Sequence, residues 1–549
     1  MYGNLSRGDP AAFLGVGLGS RRGSRTASRR WQKEQLRDGP VLGKIHGMTR
    51  RELLALVATR VPAVGATATF DPNFGSALDA ATAIATRKMS SVELTEHVFK
   101  RIDQFQPKLN AFVYLTREEA LRQARRVDEA VARKGKHGQL AGVPIIVKES
   151  FGIAGRPCTW GIPALKDSKA RANAAVVQRL LDAGAVVVGA TNVPLNLMDG
   201  QSYNEIYGTT NNPWDVTRTP GGSSGGTAAA LAAGLGFLGL GSDIGGSIRA
   251  PAHCCGIFGH KPTLDLVSFR GHAPGGVQSD PGFSTLLAVA GPLARTAEDL
   301  EAAMRVLGGP EAPESVAYSW RLPAPRRERL GDFRIGYVLE DPAMPVSSEI
   351  KPALESAVRA LEKAGAKMQR GWPPGFSLRE LFAVYLFMLG AFTFSTAPPE
   401  EQERQRVEFG AVKDHPRAEG SMADFASWQR RNFKRLAFRA VWQRYFQNVD
   451  AFLLPALPVP AFPHDHSEQA LRTLATPEGK LPYLPALLTY MSVAILTGCP
   501  ATVAPAGKTA QGLPVGVQIL GPYLEDATPI RLAGLLAKEN GGFTPPPGY

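Results

Sequence analysis

The chain has 549 residues, 44% of them hydrophobic and 20% charged, with a formal net charge of +13 at pH 7. This length and apolar content suit one large domain or several smaller ones and exclude a chain too polar to build a core. The charge is concentrated: the first sixty residues hold twelve Lys/Arg against four Asp/Glu, so the remainder is nearly balanced and no nucleic-acid partner is expected.

Residues 1–71 read as a flexible basic leader. Its Gly/Ser/Arg-rich part, including SRRGSRTASRRWQK, lacks hydrophobic periodicity. From Met48, the segment MTRRELLALVATRVPAVGATA (48–68) places twin arginines before an apolar stretch and small residues, the plan of an export signal. Arg60 interrupts the apolar part, so a simple amphipathic leader competes with that reading. The location expected is periplasmic if 48–68 acts as a signal, with 1–47 then upstream of the functional start, and cytoplasmic otherwise.

After the leader, SSVELTEHVFKRIDQF (90–105) has a serine cap and apolar residues at helical spacing, and 117–135 is a second, more charged helix. GVPIIVKES (142–150) is a buried strand ending at Lys148; AAVVQRLLDAG then leads as a helix into the strand AVVVGATNV (185–193). Further strands are expected at 236–243, 333–339, 451–458 and 514–522, with helices at 296–309, 350–365 and 528–542. Alternating helices and apolar strands predict an α/β fold, a single large domain over 72–545 with a central, mostly parallel mixed sheet covered by helices on both faces. The Pro-rich section 373–410 reads as an insertion or lid within it. Its oily stretch LFAVYLFMLGAFTF (381–394) is too short for a membrane span and reads as a core helix or the wall of an apolar pocket; no run of 18 apolar residues exists. Four cysteines, at 158, 254, 255 and 499, have neither metal-ligand spacing nor a disulfide framework.

Two glycine-flanked serine clusters carry the chemistry. GGSSG (221–225) matches the G-x-S-x-G nucleophile elbow, but a proline-punctuated loop precedes it where the elbow requires a strand. A phosphate-cradling loop is excluded by the missing Lys-Ser/Thr pair. The second cluster, LGLGSDIGGSIRAP (238–251), is a strand followed by two glycines that free the backbone to aim the amides of 244–247 at one point beside Ser247, as an oxyanion hole beside a nucleophile requires. A tight Gly-Gly-Ser turn is the plainer reading of the same residues. A nucleophilic serine needs a base. His253, His260 and His272 follow, without an acidic partner recognisable by spacing; Lys148, at a strand end where an ammonium is poorly solvated, is the other candidate.

Lys148, PGGSSGGTAAALAAG (220–234) and GSDIGGSIRAPAHCCGIFGHKPT (241–263) together resemble the amidase signature family of Ser–Ser–Lys hydrolases. The resemblance runs from about residue 75 to the closing GGFTPPPGY and is densest over 140–310. It implies the amidase signature fold, an acylated nucleophile at Ser247, a general base at Lys148 and a bridging serine at Ser223, held by a cis bond to Gly222. Ser224 corresponds to a supporting serine, the amides of Ile244, Gly245, Gly246 and Ser247 to the oxyanion hole, and Asp243 with Arg249 to the pair that braces the nucleophile turn. Gln201, Tyr203 and Asn204 match the segment near the acyl site and are expected substrate contacts. No cofactor and no metal are implied, and a homodimer is left open. The expected activity is hydrolysis of linear, hydrophobic small-molecule amides, with esters or carbamates as further substrates. The alternative is the glutaminase subunit of a tRNA-dependent amidotransferase, against which the departure TLDLVSFRGHAPGG (263–276) counts. His253 and Cys254 replace residues that are commonly apolar, and are expected to affect packing rather than chemistry.

Overall fold

Among the described residues, the six apolar runs expected as strands all take places in one eleven-stranded sheet. In a computed structural model that describes residues 70–549 apart from 136, 277–284 and 411–414, the strands of this sheet are β1 (Phe112–Leu115), β2 (Pro144–Lys148), β3 (Val186–Thr191), β4 (Leu238–Asp243), β5 (Phe258–Lys261), β6 (Val289–Ala294), β7 (Arg334–Tyr337), β8 (Lys367–Arg370), β9 (Ala451–Pro455), β10 (Ala501–Lys508) and β11 (Pro514–Leu520). Their order across the sheet is β1-β3-β2-β4-β6-β5-β10-β11-β9-β7-β8. Residues 70–549 form one compact unit. Of the expected leader, 1–71, all but Phe70 and Asp71 lies outside the described residues, the export signal 48–68 included.

Every residue of β2, β3, β4, β6, β9 and β11 is buried, which requires cover on both faces. The expectation of a mostly parallel sheet is corrected. Only β3-β2-β4 and β9-β7-β8 are parallel runs; the other six neighbouring pairs are antiparallel. The antiparallel middle is built largely from β5, β6 and β10, three strands that the apolar pattern of the sequence does not mark. The short link 509–513 between β10 and β11 closes a hairpin, which only antiparallel strands allow.

The expected helices form, two of them with side-chain caps. Ser91–Leu109 opens with a capping box in which Ser90 and Glu93 satisfy each other's amides, and Thr296 caps Ala297–Leu307. The Pro-rich section 373–410 is mainly helical, as Leu378–Ser395 and Pro399–Gly410. Leu378–Ser395 is longer than the oily stretch alone suggested, and its 18 residues at mean hydropathy 1.4 meet the length and composition of a membrane span. Eight of its 18 residues, between Leu378 and Gly390, are buried against the rest of the fold. A methyl on Gly390 would meet the Arg417 carbonyl oxygen at 2.1 Å and one on Gly420 the Phe387 carbonyl oxygen at 1.9 Å, so the helix and Pro416–Ser421 cross with backbones in contact.

Topology places the site. β2 and β4 are parallel neighbours, Val147 opposite Leu240, so Lys148 and Asp243 end their strands at the same edge of the sheet. Carboxyl ends of parallel strands are where open α/β sheets bind ligands.

Candidate active site

The loop of Gly221–Ser224 leads into the helix Gly225–Ala232, whose small residues let it lie close to the sheet. A methyl on Gly226 would meet the Asn192 amide nitrogen at 2.6 Å, and one on Gly239 of β4 would meet Thr227 Cγ2 at 2.4 Å. Gly222 faces the same constraint: a methyl there would meet the Asp199 carbonyl oxygen at 2.5 Å and the Gln201 nitrogen at 2.7 Å. The peptide bond from Gly222 to Ser223 is cis. Ser202 clasps this loop, its hydroxyl donating to the Gly221 carbonyl and accepting from the Gly225 amide, both at 3.1 Å.

The structure brings the two serine clusters and the lysine together. Lys148, fully buried, sets its Nζ 2.7 Å from Ser223 Oγ and 2.9 Å from Ser242 Oγ. The Ser224 amide donates to the Ser247 carbonyl at 3.2 Å, which joins one loop to the other. Ser224 is buried, its hydroxyl 3.5 Å from the Ser242 carbonyl. Burial disfavours the ammonium and lowers Lys148 to about 7, with the nearby Asp243 carboxylate pulling the other way. The amine is therefore substantially neutral near neutral pH.

Asp243 and Arg249 organise the turn between them. Arg249 donates from Nε to Asp243 Oδ2 at 2.9 Å and from Nη2 to Oδ1 at 3.0 Å, both side chains fully buried. Arg249 Nη1 continues to the Met491 carbonyl at 3.0 Å and to Gln518. Burial pushes the Asp243 carboxyl up, but Arg249 and two backbone amides outweigh it and hold the group below its ordinary value. One of those amides is Gly246, at 2.7 Å; the other is Ile248, at 3.2 Å. Gly246 thus differs from the expectation of four convergent donors, because its N–H is already taken up by Asp243. The amides of Ile244, Gly245 and Ser247 make no hydrogen bond among the described residues, and all three residues are only half-buried where their neighbours are enclosed. Ser247 is accordingly the most exposed member of the constellation, since Lys148, Ser223, Ser224 and Ser242 are all buried.

Gly246 has φ +107°, and a methyl there would lie 2.6 Å from Met491 Cγ. Gly246→Ala is expected to destabilise the fold by about 1–3 kcal/mol of backbone strain and to reduce activity further than that loss of folded protein explains. Denaturation midpoints measured beside turnover check this.

Of the three expected substrate contacts, Gln201 and Asn204 are buried and tied to the fold, and Tyr203 is half-buried. Gln201, fully buried, exchanges hydrogen bonds with the backbone of Asp465, donating at 2.6 Å and accepting at 3.0 Å. Asn204 donates to Asn192 Oδ1 and the Val193 carbonyl at 2.8 and 2.7 Å, and accepts from the amides of Ile206 and Tyr207. Tyr203 accepts from Arg472 at 2.8 Å and stacks on His466 with ring centroids 3.8 Å apart. Polar loop residues satisfied the backbone and one another first.

Four further contributors carry no mark of their role in the sequence. Ser242 lies inside the second serine motif and Ser202 between Gln201 and Tyr203; His272 is one of three histidines without an acidic partner; and Tyr385, in the oily helix, donates to the Ile244 carbonyl at 3.1 Å. Leu488 stands 2.8 Å from where a methyl on Gly245 would sit, so an apolar surface borders the turn. His253 is a packing residue, as expected: it is buried and accepts the Gly516 amide at 3.0 Å, with its other nitrogen 3.0 Å from the Val459 carbonyl. Among the described residues no cluster of His, Cys, Asp or Glu is arranged to hold a metal ion.

The Amidase family profile matches residues 93–529. This chain belongs to the amidase family. Its relatives include proteins of two kinds. A glutamyl-tRNA(Gln) amidotransferase subunit of Trichodesmium erythraeum is 31% identical over 471 residues, covering 81% of this chain and 93% of that protein. Indoleacetamide hydrolase of Bradyrhizobium diazoefficiens is 33% identical over 460 residues, covering 82% and 84%. A bacterial aryl acylamidase of the amidase signature family shares the fold, with a TM-score of 0.71 at 24% identity over 85% of this chain and 96% of that one. This amidase is therefore a carbon–nitrogen hydrolase of the amidase signature type, with a single large domain built on a mixed sheet.

Proposed function

We propose that the chain is a stand-alone serine amidase that hydrolyses linear, hydrophobic amides through an acyl-enzyme on Ser247. The observation that carries the reading is the buried amine of Lys148, at about 7, in contact with Ser223 Oγ at 2.7 Å. The Ser247 hydroxyl loses its proton to Ser223, which passes its own to the Lys148 lone pair, as the Ser247 oxygen bonds to the amide carbon. The developing oxyanion rests on the amides of Ile244, Gly245 and Ser247, which have no other partner among the described residues. Lys148 then returns a proton through Ser223 to the nitrogen as the carbon–nitrogen bond breaks, since an unprotonated amide nitrogen is a poor leaving group. Water repeats the sequence on the ester and releases the acid.

Tyr385, Leu488 and Met491 around the turn favour an apolar acyl or amine group. Similarity to the glutamyl-tRNA(Gln) amidotransferase supports a second reading, a glutaminase working with partner proteins. One experiment separates the two: purify the chain from its own cell, identify what accompanies it, and assay glutamine against an anilide. The stand-alone amidase releases the aryl amine with glutamine turnover at least about tenfold weaker in kcat/KM, a difference of about 1.4 kcal/mol in transition-state binding. Glutaminase activity in a stable complex, with the anilide untouched, overturns it.

A further inference from the structure

Lys148 has a second contact that this proton path leaves idle. Ser242 Oγ, 2.9 Å from Lys148 Nζ, is on its other side 2.9 Å from Nε2 of His272. His272 is boxed by the rings of Phe151, Trp160 and Phe269, with centroids 4.7, 4.8 and 4.2 Å away. Its buried Nδ1 has no hydrogen-bond partner among the described residues. Burial, with Lys148 close by, holds the imidazole well below its ordinary range, so the ring is neutral.

A neutral lysine has two N–H bonds and one lone pair, and Ser223 needs the lone pair. Ser242, at 2.9 Å against 2.7 Å for Ser223, is also within hydrogen-bond distance and has a rotatable O–H. If that O–H turned to Lys148, it would occupy the lone pair and leave Ser223 facing an N–H. We propose that His272 is a positioning residue whose Nε2 accepts the Ser242 hydroxyl hydrogen. Ser242 then presents Lys148 with an oxygen lone pair only, fixes one amine N–H, and aims the amine lone pair at Ser223. No proton leaves His272 at any step. The inference rests on the reading of Lys148 as the base.

The test is steady-state hydrolysis of an anilide by the full chain. His272→Leu, which keeps an apolar filling in the aromatic box, is expected to lower kcat by about 10- to 100-fold, part of the range a general base contributes, with KM within about twofold. His272→Gln, whose amide oxygen accepts the same hydrogen, restores most of the loss. Ser242→Ala combined with His272→Leu is no worse than Ser242→Ala alone, because the histidine acts only through the serine. His272→Asn, too short to reach Ser242, stands in if the leucine variant does not fold, and the same loss is expected. Wild-type kcat in either variant, equal loss in His272→Gln, or additive losses in the double variant overturns the proposal. Near-normal turnover by Lys148→Ala sinks the base reading instead, whereas unaffected His272 variants beside an inactive Lys148→Ala sink only the role of His272.

Discussion

Ser247→Ala is expected to lower amide turnover by at least about four orders of magnitude, leaving whatever binding and oxyanion stabilisation provide without a nucleophile. The same variant should lose all labelling by a fluorophosphonate, and peptide mapping of the labelled parent should place the adduct on Ser247. Exposure makes this sharp. Ser223 and Ser224 are buried and tied to Lys148 and to the β4 backbone, whereas Ser247 lies half-open on the turn. An adduct found on Ser223 instead would reverse the two roles. The fold is expected to survive, since the bond joining the clusters uses the Ser247 carbonyl rather than its side chain.

The parts of this site that follow from local chemistry were legible in the sequence. A β-branched run ending in lysine fixes Lys148 at a strand terminus, and two glycines before Ser247 free the backbone for the turn that Gly246 takes at φ +107°; both are properties of neighbouring residues. The meeting of residues 148, 223 and 247 is not local, and only the family resemblance indicated it. What escaped notice depends on long-range partners. Ser242 reads as one more small residue in a strand, and becomes a ligand of Lys148 only because β2 and β4 are neighbours. Gly246 looks like a fourth oxyanion donor until Asp243 is seen to take its amide. Gln201 and Asn204 looked available because loops are usually wet, and are buried because the loop is folded under residues 463–472 and against Asn192. The antiparallel centre of the sheet was hidden for a related reason. β5 carries His260 and Lys261, and β6 and β10 contain Gly and Pro, so none shows the apolar run that marked the other strands.

Lys148→Ala is expected to cost about 10²- to 10⁴-fold in kcat, the contribution of a positioned base, and the pH profile gives the role its signature. Burial lowers the amine to about 7. Below that pH the group is an ammonium with no lone pair, so Ser223 cannot pass its proton on and activity falls as pH drops. Above it the amine is free and activity levels off. The parent should therefore show a single ascending limb in kcat/KM centred near 7, absent from the residual activity of Lys148→Ala. Lys148→Arg separates the base from a merely electrostatic role, because a guanidinium keeps the positive charge yet cannot be deprotonated in this range. If the charge served only to stabilise the oxyanion, arginine would retain activity and the limb would descend with rising pH. A proton-accepting amine predicts the reverse on both counts: an arginine variant as inactive as alanine, in a parent that gains rate as the lysine loses its charge.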